Sequence, residues 1–182
     1  MKTEIEARVL DINAQEIIDK LNLLNATFIG DWLQVRNCYD FNPAKPNSWV
    51  RLRTNGKETT LTIKEIENST ISGTKELEIV VSDFEETDRI LNKLGYSARS
   101  SQENRRIRYM LDGVEIDIDS WPKIPTYLEL EANSEEEIIL ALNKLKIDKN
   151  KLVTLDVVSI YKHYGIVFDE LPKKLFLEEN RK

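Results

Sequence analysis

Charged and apolar residues alternate along several short segments of this chain, and this alternation constrains its fold more than any other feature. The first instance is Glu4-Ile5-Glu6-Ala7-Arg8. On a β-strand alternate side chains share a face, so Glu4, Glu6 and Arg8 point to one side and Ile5 and Ala7 to the other. Two carboxylates on one face repel each other, and a divalent cation between them would relieve the repulsion. For a single segment, a solvated strand face is the alternative.

The same alternation returns on later segments, where arginines pair on some strands and acids on others. The predicted strands are Trp49 to Arg53, Thr60 to Lys64, Lys75 to Val81, Arg105 to Met110, Val114 to Asp119, and Tyr127 to Glu131. The dipeptides Asn55-Gly56 and Asp112-Gly113 predict hairpin turns. Together with the first segment these are seven predicted strands, and we expect roughly eight in the whole chain.

Between these strands the apolar period changes to that of amphipathic helices. Three helices are predicted to begin at capping boxes that start with Asn13, Ser82 and Ser134. A fourth helix is predicted within Leu155 to Phe168, ending at Gly165. We expect the helices to cover the apolar face of the strands, which gives an α+β fold.

The charged face then needs an environment of its own. Its residues are Glu4, Glu6, Arg8, Arg51, Arg53, Lys64, Glu76, Glu78, Arg106, Arg108, Asp117, Asp119, Glu129 and Glu131. A flat sheet would simply expose this face to water. Closing about eight antiparallel strands into a barrel instead gives an interior that can hold one small ligand. There, arginines would hold phosphate oxygens and carboxylates would hold Mg²⁺ or Mn²⁺ on the same phosphates. We therefore expect a polyphosphate-binding metal site.

Composition excludes several other classes of protein. A net charge of −6 argues against binding to nucleic acid or to an anionic membrane surface. The single Cys38 and the single His163 argue against a disulfide framework and a histidine-rich zinc site. The charged N-terminus and the lack of a long apolar run predict a cytoplasmic chain without signal peptide or membrane span. We expect one domain over residues 1–182, with a core over about 1–165 and a helical tail over about 166–182.

Residues from about 1 to 165 resemble the CYTH superfamily of triphosphate tunnel metalloenzymes, which includes class IV adenylate cyclases, thiamine triphosphatases and inorganic triphosphatases. The resemblance rests on the order and spacing of EIEAR (similar to an ExExK signature), WVRLRTNGKETTLTIK, GTKELEIVVSDFEETDRILNKLGY and RRIRYMLDGVEIDIDSWPKIPTYLELEANSEEE. It implies a closed, antiparallel, eight-stranded tunnel with helices packed outside. The tunnel would bind the triphosphate of a nucleotide, of a thiamine derivative or of an inorganic chain.

By matching position, the resemblance also implies roles for the charged residues. The catalytic set is Arg8, Glu4 and Glu6. The residues that bind phosphate are Arg8, Arg51, Arg53, Lys64, Arg106 and Arg108. The ligands of Mg²⁺ or Mn²⁺ are Glu4, Glu6, Asp117, Asp119, Glu129 and Glu131, with Asp117 the better match of the two aspartates. Glu76 and Glu78 form an accessory acidic pair.

Two residues depart from the family pattern. Arg8 stands where the family has a lysine, and Cys38 stands where triphosphatases have a tyrosine that helps to orient water. Three functions therefore stay open: a metal-dependent triphosphatase, which we favour, a class IV adenylate cyclase, and a non-catalytic polyphosphate or nucleotide sensor. The expected ligand is tripolyphosphate, thiamine triphosphate or ATP, bound by a monomer or a homodimer.

Overall fold

Eight antiparallel strands form a barrel in the computed structural model, which describes residues 1–177. They are β1 (Lys2–Val9), β2 (Thr27–Asp40), β3 (Ser48–Thr54), β4 (Thr59–Ile66), β5 (Thr74–Val81), β6 (Ala98–Leu111), β7 (Val114–Ser120) and β8 (Tyr127–Ala132). Around the barrel the order is β6-β2-β3-β4-β5-β1-β8-β7, and pairing of β7 with β6 closes the sheet. The closed eight-stranded barrel is therefore confirmed. Two-residue strands β9 (Leu152–Val153) and β10 (Lys174–Leu175) add to β1 and β6.

The longest strands, β2 and β6, were the least visible in the sequence. No segment was assigned to β2, and β6 begins at Ala98, well before the predicted start at Arg105. Gly30 and Asn37 in β2, and the polar run from Ser100 to Asn104 in β6, have low strand propensity. Pairing of the two strands along most of their length overrides that preference.

Four α-helices pack outside the barrel: α1 (Ala14–Leu23), α2 (Phe84–Lys93), α3 (Glu135–Leu145) and α4 (Val157–His163). Asn13 and Ser134 accept hydrogen bonds from the backbone N–H of Glu16 and Glu137, as the capping boxes predict. The predicted cap of α2 is wrong by one residue. The side chain of Asp83, and not that of Ser82, accepts a hydrogen bond from the backbone N–H of Glu86 at 2.7 Å.

The helices pack against three separate apolar clusters. One apolar cluster joins α1 and α3 to β1, β6, β7 and β8, and another joins α2 to β2 and β3. A third joins α4 to the segment after β7. The expectation that helices cover the whole apolar face is wrong at β5, because Leu77 is 52% exposed and Ile79 is 56% exposed. Among residues 1–177 no helix is long and apolar enough to cross a membrane.

The C-terminal segment differs from the predicted helical tail where the structure describes it. Gly165 follows α4 with φ of 74°, a conformation that favours glycine at a helix end. Phe168–Glu170 then form a short 3₁₀ turn, and β10 pairs in parallel with β6. Residues 178–182, the rest of the predicted tail, lie outside the described residues.

Candidate active site

A cavity of about 470 Å³ lies inside the barrel, and nearly all of the predicted site residues line it. They are Glu4, Glu6, Arg8, Arg51, Arg53, Lys64, Glu76, Glu78, Arg106, Arg108, Asp119, Glu129 and Glu131. The exception is Asp117, which is 3% exposed and bonds to Arg106 and Arg108 instead of lining the cavity. The structure therefore brings the predicted residues into one place, while their roles stay predictions.

The strand order divides the charges of this cavity between two walls. The consecutive strands β6, β2, β3 and β4 carry most of the basic side chains, and we call these strands the basic wall. The consecutive strands β5, β1, β8 and β7 carry the carboxylates, and we call them the acidic wall. Arg8 and Lys2 are the basic side chains on the acidic wall. Like charges on neighbouring strands repel, so each wall needs charge of the opposite sign facing it.

Arg106 is the most extensively paired side chain of the basic wall. Its Nε donates to Asp119 Oδ1 at 2.8 Å, its Nη2 donates to Glu129 Oε1 at 2.9 Å, and its Nη1 lies 2.6 Å from Asp117 Oδ2. Burial alone would lower the pKa of Arg106, but the three carboxylates raise it well above its ordinary value. Arg106 is therefore a fixed positive charge that joins the two walls.

Arg8 is held just as firmly on the acidic wall. Its Nε donates to Glu129 Oε2 at 2.7 Å, its Nη2 to Glu6 Oε2 at 2.8 Å, and its Nη1 to the carbonyl of Leu155 at 2.9 Å. Burial lowers the pKa of Arg8, and the carboxylates of Glu129 and Glu6 outweigh it, so that the net shift is upward. Arg8 can therefore donate hydrogen bonds and stabilise negative charge, but it cannot accept a proton.

The two arginines on β3 are held more loosely than Arg106, and more loosely than Lys64 on β4, which pairs with both Glu4 and Glu76. Arg51 Nη2 lies 3.4 Å from both Glu76 Oε1 and Glu78 Oε2, and Arg53 Nη2 lies 3.8 Å from Glu78. Repulsion by Arg51 is the largest cause that lowers the pKa of Arg53, followed by burial. Lys64 Nζ lies 3.1 Å from Glu4 Oε2, closer to its carboxylate partner. The two arginines thus carry positive charge that the acidic wall offsets only in part.

The acidic wall has a corresponding excess of negative charge around Glu131. Glu131 lies directly opposite Glu115 on β7 and Glu6 on β1. Burial, and then the carboxylates of Glu4 and Glu115, raise the pKa of Glu131. Its cation partner is Lys2, whose side chain is 75% exposed and whose Nζ lies 3.6 Å away. A divalent cation would relieve this repulsion, and carboxylate oxygens are suitable ligands for Mg²⁺ or Mn²⁺.

The carboxylates do not yet converge as a ligand shell. In the part of the chain that the structure describes, no three His, Cys, Asp or Glu side chains are arranged to hold one ion. The ion pairs explain this arrangement, because they direct the oxygens of Asp119 and Glu129 towards Arg106 and those of Glu6 towards Arg8.

Among the cavity side chains that were missed in the sequence are Arg36 on β2, Glu115 on β7 and Tyr127 on β8. The alternation could have identified the first two, since Arg36 shares a face with Cys38, and Glu115 shares one with the predicted aspartates of β7. Tyr127 likewise shares a strand face with Glu129 and Glu131, and its buried hydroxyl has no hydrogen-bond partner among the described residues. Burial raises the pKa of Tyr127 well above its ordinary value, so this hydroxyl stays protonated.

Cys38 and Tyr39 point to opposite sides of β2. Cys38 lines the cavity, whereas Tyr39 points away from it into the cluster under α2 and donates its hydroxyl to Asp88. Burial raises the pKa of the Cys38 thiol, although Arg36 and other arginines oppose the shift. The Cys38 thiol is therefore uncharged. Because Tyr39 points away from the cavity, its hydroxyl cannot take the role of the tyrosine that the family resemblance implies at position 38.

The fold is similar to several solved structures of low sequence identity. A protein of Pyrococcus horikoshii OT3 matches with a TM-score of 0.73 and 22% identity over 86% of this chain and 98% of its own. A protein of Vibrio parahaemolyticus, described as a candidate adenylate cyclase, matches with a TM-score of 0.74 and 10% identity over 88% of this chain and 98% of its own. A Hippeastrum protein, described as a candidate adenylyl cyclase with a dominant triphosphatase activity, matches with a TM-score of 0.60 and 14% identity over 94% of this chain and 100% of its own. At these identities the likeness shows the fold alone.

The family is shown by a separate comparison. None of the curated proteins matches this chain. The model of the CYTH domain, however, matches residues 2–158. Because the matched residues make up most of this chain, the chain belongs to the CYTH domain family.

Proposed function

We propose that this protein is a divalent-metal-dependent enzyme that hydrolyses triphosphate substrates. The observation that carries the proposal is the division of one internal cavity into a basic wall and an acidic wall. A linear triphosphate supplies the negative charge that the basic wall lacks, and a divalent cation supplies the positive charge that the acidic wall lacks. CYTH proteins generally depend on divalent metals and bind triphosphates, which supports the same reading.

Within this proposal Glu131 and Glu4 hold the metal, with Glu115 beside them. After burial, repulsion by the carboxylates of Glu4 and Glu115 raises the pKa of Glu131, and oxygen donors fit Mg²⁺ or Mn²⁺. Glu6, Asp117, Asp119 and Glu129 stay candidate ligands, and in this structure they bond to Arg8, Arg106 or Arg108. When bound, the metal supplies positive charge for the phosphate oxygens.

The protein's own part in the reaction is positioning and electrostatic stabilisation. Phosphoryl transfer has a transition state whose charge is spread over the phosphoryl oxygens, so fixed donors around those oxygens lower the barrier. Arg51, Arg53 and Lys64 would bind the chain on the basic wall, while Arg8 donates from the opposite side. Since Arg8 cannot accept a proton, we give it an electrostatic role and not that of a general base.

Two other functions use the same charges. In a class IV adenylate cyclase the ribose 3′-hydroxyl of ATP attacks the α-phosphate and releases pyrophosphate. Two of the structures similar in fold, from Vibrio parahaemolyticus and Hippeastrum, carry adenylate cyclase in their descriptions. A polyphosphate or nucleotide sensor would bind without turnover, and the replacement of the lysine and tyrosine of the family pattern by Arg8 and Cys38 favours that alternative.

Product analysis separates the three functions. The protein is incubated with tripolyphosphate, thiamine triphosphate or ATP, each with Mg²⁺ or Mn²⁺, and the products are resolved by anion-exchange chromatography. We expect orthophosphate, released only when metal is present. Pyrophosphate together with cyclic AMP would instead identify a cyclase. Saturable binding without any product would identify a sensor, and a protein that neither binds nor converts any of the three would contradict the proposal.

A further inference from the structure

The second half of β5 has a neighbouring strand on one side and none on the other. On one side, β4 pairs with every residue from Thr74 to Val81. On the other side, β1 reaches only Thr74, Lys75 and Glu76. Among the described residues, no strand pairs with that side of Leu77–Val81. Alternate residues of an unpaired edge direct their N–H and C=O groups outward, so this edge can bond to another strand.

The side chains along this open edge are apolar and exposed. Leu77 and Ile79 lie on the outer face of β5, and Val80, on the other face, is 66% exposed. On β4, Leu61 and Ile63 lie directly opposite Ile79 and Leu77, and they pack against the cluster under α2. The exposed residues of β5 therefore continue an apolar surface from that cluster to the open edge.

This edge lacks the features that keep exposed strands from pairing. The segment Leu77-Glu78-Ile79-Val80-Val81 contains no lysine or proline, and its pairing with β4 has no bulge. Its one charged residue, Glu78, is directed into the barrel. The Glu78 carboxylate accepts a hydrogen bond from Thr62 Oγ1 at 2.5 Å and lies 3.8 Å from Arg53 Nη2. The charge of Glu78 therefore does not protect the edge against another strand.

Two copies of this edge are complementary to each other about a two-fold axis. Antiparallel pairing centred on Ile79 sets Ile79 opposite Ile79 of the second copy, and Leu77 opposite Val81 of the second copy. In the same register Glu78 lies opposite Val80 of the second copy. The two Glu78 carboxylates therefore do not face each other directly, and the outer face gains apolar cross-strand pairs.

The charges beside β5 are complementary in the same arrangement. Directly after β5, Asp83, Glu85 and Glu86 give the first turn of α2 an exposed negative charge. Beside the start of β5, Lys2 on β1 lies opposite Glu76, and its side chain is 75% exposed. Antiparallel pairing brings the end of each β5 near the start of the other. The acidic turn of one copy therefore comes near Lys2 of the second copy, on both sides of the axis.

From these observations we propose that the end of β5 is a dimerisation surface, on which Leu77–Val81 of two copies pair as antiparallel strands about a two-fold axis at Ile79. The partner is a second copy of this chain, and the sheets of the two barrels become continuous through β5. The inference does not rest on the proposed function, because the side chains of Leu77, Ile79 and Val81 do not line the cavity.

Sedimentation velocity over a range of protein concentrations tests this surface. The proteins are the wild type, Ile79→Lys and Leu23→Lys. Leu23 is the matched control, because it is 82% exposed at the end of α1 and lies outside β5. We expect the wild type and Leu23→Lys to reach twice the mass of one chain alike. Ile79→Lys should weaken association at least about tenfold, because two lysines would face each other at the axis.

A cysteine at the axis gives a second and independent measurement. In Ile79→Cys the two thiols would lie opposite each other, where Cβ atoms of paired strands are about 4.5–5.5 Å apart, close to the reach of a disulfide. The protein is oxidised with copper phenanthroline and analysed by non-reducing electrophoresis. We expect Ile79→Cys to form a cross-linked dimer. The wild type should form none, because its single cysteine, Cys38, is 7% exposed inside the barrel.

Each outcome supports or overturns the inference. A wild type that stays monomeric at every concentration overturns it, which would leave the edge free for a strand of another protein. A dimer that Ile79→Lys leaves intact, or that Ile79→Lys and Leu23→Lys weaken equally, overturns it as well. If Ile79→Lys does not fold by circular dichroism, the Ile79→Cys experiment decides, and the lack of a cross-linked dimer overturns the inference. The proposed function is tested separately by product analysis.

Discussion

Replacing Arg106 by methionine should destabilise the protein strongly, because Arg106 contacts three buried carboxylates. Its Nη2 lies 2.5 Å from Asp119 Oδ2 and 2.9 Å from Glu129 Oε1, and its side chain is 8% exposed. Arg106→Met leaves the buried Asp119 without its guanidinium partner, whereas Asp117 and Glu129 keep Arg108 and Arg8. Breaking a buried pair in this way costs about 3–5 kcal/mol in the free energy of unfolding. For a chain of this length, that corresponds to a fall in Tm of about 6–20 °C.

The next residue along β6 provides a matched control. Arg105 makes the same bidentate contact with Asp31, at 2.9 and 2.6 Å, but its side chain is 54% exposed. Arg105→Met should therefore cost only about 0.2–1 kcal/mol. Urea unfolding followed by tryptophan fluorescence measures both variants. Adding Asp119→Asn to Arg106→Met should restore part of the loss, since one fewer carboxylate is then unpaired. Equal stability of Arg106→Met and Arg105→Met would refute the account of the two walls.

Two further predictions follow from the shifted pKa values of the cavity. Because the folded-state pKa of Glu131 is raised, the ionised form of Glu131 destabilises the metal-free protein. Glu131→Gln should therefore stabilise the protein at pH 7 by about 0.2–1 kcal/mol for each glutamate that lies opposite position 131. This gain should fade as the pH falls through the raised pKa of Glu131 towards the ordinary pKa of a glutamate. Thermal unfolding at pH 5 and pH 7 measures this difference, and a gain that grows on acidification would contradict it. The raised pKa of the buried Cys38 thiol predicts that iodoacetamide at pH 7.5 labels Cys38 only after the protein is unfolded in urea. Mass spectrometry of the intact chain measures this labelling. Rapid labelling of folded protein would mean that the thiol is ionised and accessible.

The alternation of the sequence predicts which face each charged residue occupies. A strand pattern has period two, so placing Glu4, Arg53 or Glu129 on the inner face needs only the local sequence. The same rule places Arg36 beside Cys38, yet β2 shows no regular alternation of polar and apolar residues, because Gly30 and Asp31 interrupt its apolar residues and the register shifts between Phe28 and Gly30. Pairing with β3 and β6 determines the conformation of β2.

Partners inside the barrel were not accessible from the sequence. Alternation gives the face of Asp117 but not its rotamer, and in the structure Asp117 bonds to Arg106 and Arg108 instead of lining the cavity. The exposure of Leu77 and Ile79 was missed for a similar reason. Whether a helix covers β5 depends on the path of α2, which packs against β2 and β3.

Binding of Mn²⁺ in the presence of tripolyphosphate tests the central claim most directly, that one wall of the cavity binds phosphate and the facing wall binds the metal. Free Mn²⁺ is measured by electron paramagnetic resonance during titration of the wild type, of Glu4→Gln/Glu6→Gln, and of the exposed control Glu85→Gln/Glu86→Gln on α2. Each titration is compared with the same tripolyphosphate solution without protein, because tripolyphosphate itself chelates Mn²⁺. We expect the wild type and the control to bind Mn²⁺ alike, and Glu4→Gln/Glu6→Gln to bind it at least about tenfold more weakly. Equal Mn²⁺ affinity in all three proteins would contradict the claim.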